Sequence, residues 1–153
     1  MHYSKILDAK PPPTKLRLVL KGDAKKHQGS RAGVYILQKN FVNTYPYWKN
    51  KSKEYSIWFD LGNGTWFVGD TKDLGSVMCG IKGPYGEDDW PQNISANWKY
   101  SDGTGTWPKA GTGDVVFEDL SNGNPKIDTE SLLVNQFSIY QSSCFSDKDC
   151  TIS

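Results

Sequence analysis

The chain has no long apolar run, two histidines and three cysteines in 153 residues. Hydrophobic residues make up 37% and mean hydropathy is -0.61. No stretch approaches the roughly 20 apolar residues that a membrane helix requires, so no membrane partner is expected. The start, MHYSKILDAKPPPTK, lacks the continuous apolar segment of a secretory signal, and nothing in the sequence assigns a compartment. His2 and His27 leave no evident base for a cysteine or serine nucleophile, and G-x-S-x-G is absent. No catalytic residue is therefore assigned. An enzyme would have to work with carboxylates alone, in a cleft joining two of Asp60, Asp70, Asp73 and Glu87.

Cys79, Cys144 and Cys150 are odd in number and lack zinc-ligand spacing, which argues against a full disulfide framework and a structural metal site. Cys144 and Cys150 can pair in an oxidising compartment, whereas a reducing one keeps all three as thiols. The acidic run Glu87-Asp88-Asp89 lacks the spaced carboxylates of a calcium loop. Neither metal nor cofactor is expected. GDAKKHQGSRAG, residues 22–33, holds Lys25, Lys26, His27 and Arg31 but no phosphate-loop spacing. It reads as a solvated loop, and no nucleic-acid partner is expected.

What the chain does have is aromatic, strand-forming sequence. In EYSIWFDLGNGTWFVGD, Tyr55, Ile57, Phe59 and Leu61 alternate with Glu54, Ser56, Trp58 and Asp60, the period of a strand with two unlike faces. Gly62-Asn63-Gly64 suits a tight turn, and Thr65-Trp66-Phe67-Val68 is the returning strand. KLRLVLK, Val34–Leu37 and Thr44–Trp48 are further strands; Pro46 places the last at an edge or a bulge. Val77–Ile81 is a short strand, and Asn97–Tyr100, with Thr106-Trp107 and then Asp114–Glu118 as the return, suggests a second hairpin. SLLVNQFSIYQ, residues 131–141, favours a strand by its β-branched and aromatic content. Leu133, Phe137 and Tyr140 of that segment also fit a helical face, and no segment elsewhere has the periodicity of a stable helix. The expected fold is all-β, an antiparallel sandwich or small barrel with flexible tails. A proline-rich tail spans residues 1–14, one β domain 15–141, and a C-terminal tail 142–153.

Charge divides the chain in two. Residues 1–53 hold ten Lys and two Arg against two acids, a balance of +10, and residues 54–153 hold six Lys against fifteen acids, a balance of -9. Either basic and acidic strands lie side by side and neutralise each other, or one end meets an anionic partner, or the halves drive self-association between copies.

The series LRLVLKG, GVYIL, TYPYWK, YSIWF, TWFVG and WKYSDG, over residues 15–118, resembles a small Trp- and Gly-rich β module repeated in large multidomain eukaryotic proteins. The resemblance implies a β fold that accompanies other domains. It carries over no activity and no functional residue.

Of six tryptophans, Trp58 stands out because it shares a face with Glu54, Ser56 and Asp60. A large aromatic on a polar face is either covered by another part of the chain or presented to a ligand. Trp48, opposite Tyr45 and Tyr47, is a second case. The expected binding residues are thus Trp58, Trp48, Tyr47 and Asp60, on an aromatic-bearing face that recognises a protein or glycan without catalysis. The alternative is an assembly protein held by its unlike halves.

Overall fold

The computed structural model describes residues 11–87 and 89–121. Strands β1 (Lys15–Leu20), β2 (Gly33–Val42), β3 (Tyr45–Asn50), β4 (Tyr55–Asp60), β5 (Thr65–Asp70), β6 (Ile81–Lys82), β7 (Lys99–Tyr100) and β8 (Val115–Asp119) form one antiparallel sheet. Their order is β7-β6-β5-β4-β3-β2-β1-β8, curled into a half-barrel. The fold is all-β. The expected β4–β5 hairpin is present over six residue pairs, from Tyr55↔Asp70 to Asp60↔Thr65.

The concave side holds the core. Leu16, Leu18 and Leu20 of β1 point inward, as alternation demands, and meet the inward residues of β8 through the pairs Leu18↔Phe117 and Leu20↔Val115. Tyr45, Trp48, Phe59, Trp66 and Trp90 fill the middle. Trp66 lies 5.4 Å from Trp48, 5.0 Å from Phe59 and 6.0 Å from Trp90, centroid to centroid. Such ring pairs add about 0.5–1.5 kcal/mol each beyond area burial. Trp98 and Phe117, 4.9 Å apart, close the core between the two ends of the sheet.

Several expectations need correction. Residues 22–33 are not a plain loop: Gly22–Gln28 is a helix, α1, and Gly29–Arg31 a 3₁₀ turn. The helix buries only Ala24, so no apolar stripe announces it. The second hairpin does not close on β8, which pairs with β1 at one edge, while β7 pairs with β6 at the other and takes its short antiparallel return from Lys109. Alternation assigns a residue to a face but does not name the partner strand. Val77–Ile81 contributes only Ile81 to β6. Of the two places expected for Pro46, the edge is excluded because β3 is an interior strand, and the irregularity is found, with Pro46 opposite Phe41 where the β2–β3 register shifts. That irregularity accommodates the missing donor.

Residues 11–14 belong to the fold and not to a tail. Pro12 and Pro13 are buried, the Pro13 carbonyl accepts the Trp48 indole N–H at 2.9 Å, and Thr14 N–H donates to Ser121 Oγ at 2.8 Å. The strand expected at residues 131–141, the tail at 142–153, and with them Cys144 and Cys150, lie outside the described residues.

Three ion pairs join the basic half to the acidic half: Arg17–Glu118 at 3.3 Å, Arg31–Asp70 at 3.1 Å and Lys49–Glu54 at 3.5 Å. A part of the asymmetry is thus answered within one molecule. No helix among the described residues is long and apolar enough to cross a membrane.

Candidate functional site

Trp58 lies on the convex side of β4, where alternation puts it, yet it is 0% exposed. Its indole faces Phe67 of β5, centroids 6.3 Å apart, and both are roofed by residues 71–80. This strap is shaped by two turns, Leu74 N–H to Thr71 O at 3.0 Å and Ser76 N–H to Asp73 O at 2.9 Å. It comes down tightly because residue 69 is glycine: a Cβ there would sit 2.8 Å from Trp58 Cη2 and 3.0 Å from both the Met78 oxygen and Cys79 Cα. The Ser76 carbonyl accepts the Trp58 N–H at 3.2 Å. The indole expected to meet a ligand is therefore enclosed by its own chain.

The other expected binding residues are similarly occupied. Trp48 is 0% exposed and is held by Pro13 and the neighbouring indoles. Asp60 is buried and accepts from Asn63 N–H and Asn63 Nδ2, both at 2.8 Å, which fastens the β4–β5 turn as short polar side chains do. Only Tyr47, half-buried, keeps some access to solvent.

The convex side is open farther along, at β6 and β7. Lys82 of β6 and Lys99 of β7 are directly opposed, and Lys99 is bridged in turn to Lys109. Directly opposed residues of an antiparallel pair share a face, with Cα atoms about 4.5–5.5 Å apart. Three lysines thus stand in a row across neighbouring chain segments. Among the described residues none of the three has a carboxylate within ion-pair reach. Beside the row stands Trp107, half-buried, with Lys82 Nζ 4.3 Å from its ring centroid. It alone among the tryptophans is not buried. Its indole N–H has no acceptor among the described residues.

Local structure fixes this arrangement. Tyr100 N–H donates to Pro108 O at 3.1 Å, and Ala110 N–H to Trp98 O at 2.8 Å, so residues 108–110 run beside β7 as a short extra strand. Ile81 and Tyr100 are buried in the core, which sends Lys82 and Lys99 outward. The preceding loop is shaped by Asp102, which accepts from Thr106 Oγ1 at 2.6 Å, Thr104 Oγ1 at 2.7 Å and Thr104 N–H at 2.9 Å. The Thr106 hydroxyl first, then the Thr104 hydroxyl and N–H, hold its carboxyl well below the usual range. Its charge is used inside the loop and not on the lysine row.

No family model, curated protein or solved structure matches the chain.

A concavity of about 440 Å³ elsewhere on the surface is lined by Lys53, Glu54, Tyr55, Asp70 and Lys72. Its charges are largely answered: Arg31 and Lys72 hold Asp70, Lys49 holds Glu54, and Arg31 covers the Tyr55 ring at 4.7 Å. The densest basic run of the sequence is likewise dispersed, with His27 stacked on Tyr100 and Arg31 turned to Asp70. Cys79, near the end of the strap, has its thiol pushed up to about 12 by burial, against a smaller opposing pull from Lys82. It remains a protonated, weakly nucleophilic thiol at neutral pH. Among the described residues no cluster of three metal-ligating side chains occurs. Asp89, from the acidic run, accepts from Trp90 N–H and Asn93 Nδ2 at 2.7 and 2.9 Å; Asp88 lies outside the described residues.

Sequence reasoning placed the binding aromatic at position 58 and passed over position 107. The signal that distinguishes Trp107 was present: it sits in TGTWPKAG, among turn residues that cannot bury an indole on both sides.

Proposed function

We propose that this chain is a non-catalytic binding module whose convex face recognises a negatively charged protein or glycan through Lys82, Lys99 and Lys109 beside Trp107. The observation that carries it is the lysine row. Like charges set directly opposite one another on adjacent strands destabilise a sheet, and these three have no carboxylate partner among the described residues. The contact of Lys82 with the Trp107 ring offsets part of that cost, and an external anion accounts for the rest.

Chromatography on heparin and on immobilised polyglutamate tests this. The wild type is retained and released by salt, because exposed charges are screened beyond about 10 Å at 0.1 M. Lys82→Ala/Lys99→Ala/Lys109→Ala passes through, whereas Lys25→Ala/Lys26→Ala/Lys51→Ala, with the same net charge, is retained. Equal elution of the two triple variants contradicts the proposal.

A further inference from the structure

We infer that the partner of the lysine row is an extended, acidic protein segment, an inference that rests on the binding-module reading above and names its ligand class. Everything the site offers is a donor. Three ammonium groups and one indole N–H project from it, and this calls for a ligand rich in anionic acceptors.

The position of Lys82 selects among such ligands. A sugar ring or a base needs an open aromatic face on which to stack, and the Lys82 ammonium stands over the Trp107 ring at 4.3 Å. Stacking there would displace a cation already held by the ring. A carboxylate needs no ring face. It approaches the ammonium groups directly while the indole edge donates its N–H.

Spacing agrees. The opposed lysines stand about 4.5–5.5 Å apart at their Cα atoms, and carboxylates on alternate residues of an extended segment lie about 6.6–6.8 Å apart. The flexible four-carbon lysine stems close that difference. The segment crosses β6, β7 and residues 108–110, one carboxylate for each lysine, with an additional carboxylate or carbonyl taking the indole N–H.

The test is fluorescence anisotropy of the full chain with a labelled peptide alternating glutamate and threonine, with heparin oligosaccharide and oligothymidylate as competitors. Binding that strengthens as salt is lowered is expected. Lys99→Glu weakens it by about tenfold or more, since reversal sets like charges against the ligand. Trp107→Phe, which keeps a ring under Lys82 but loses the N–H, weakens it by about twofold to tenfold. Lys109→Glu is the second charge variant should Lys99→Glu fold poorly. Peptide binding indifferent to these changes overturns the inference. Heparin binding more tightly than the peptide overturns the acidic-segment assignment and leaves the module reading standing, whereas oligothymidylate binding more tightly than either overturns both. Failure of all three probes to bind overturns both.

Discussion

Two tryptophans on the convex side, Trp58 and Trp107, invert the expectation read from the sequence, which singled out the first as a contact residue and passed over the second. Trp58 has its N–H accepted by Ser76 and its ring covered by the strap. Trp107 is half-buried, carries a cation on its ring and has no acceptor for its N–H among the described residues. An indole among polar neighbours is therefore no sign of a site. What distinguishes a site is whether its donors and charges find partners within the fold.

The sharpest way to break this contrast is to remove each indole. Trp58→Ala leaves a cavity between sheet and strap and is expected to cost about 3–5 kcal/mol, read as a lowered urea midpoint. Trp107→Ala should cost under about 1 kcal/mol, as a residue only partly buried does. Equal losses would erase the distinction.

Next in size is the contact between strap and sheet. Gly69→Ala puts a methyl against backbone atoms of the strap, which cannot swing aside as a long side chain would. The expected loss is about 1–3 kcal/mol, with faster alkylation of Cys79 as the strap lifts. An unchanged midpoint would show that the strap is not seated as described.

The position of each residue along a strand was legible beforehand; what lay above it was not. Alternation in EYSIWFD put Trp58 on the convex face, and the Gly-Asn-Gly turn placed the β4–β5 hairpin, because both depend on near neighbours. The roof over Trp58 comes from residues that have no periodicity. The partner of β8 lies at β1, about a hundred residues away in sequence, where local pattern carries no information. Helix α1 buries one alanine, too little to leave an apolar stripe. The lysine row depends on register among three segments, so Lys82, Lys99 and Lys109 look unrelated until β6, β7 and residues 108–110 are aligned.

The buried thiol sharpens the contrast through pH. The folded state holds Cys79 protonated up to about 12, against 9.0 for an ordinary thiol, so the native form binds the proton more tightly than the unfolded chain. Its stabilising contribution is complete below pH 9 and is lost progressively as pH rises from 9 to 12. Cys79→Ser should therefore flatten the fall in urea midpoint over that window, by about 1 kcal/mol between pH 9 and 10. A parallel fall in both proteins would mean that the strap does not shield the thiol.

A smaller effect is expected where charge is already answered. Arg17→Ala breaks the half-exposed pair with Glu118 and should cost no more than about 1 kcal/mol, measured by the same urea titration.

The central claim is that the lysine row is kept for a partner and not for the fold, and Lys99→Glu tests it most directly. The substitution turns two like-charge contacts, with Lys82 and Lys109, into attractive ones, so the urea midpoint should hold or rise by about 0.2–1 kcal/mol while binding of the acidic peptide is lost. A variant that is less stable, or that binds the peptide as well as the wild type, would contradict it.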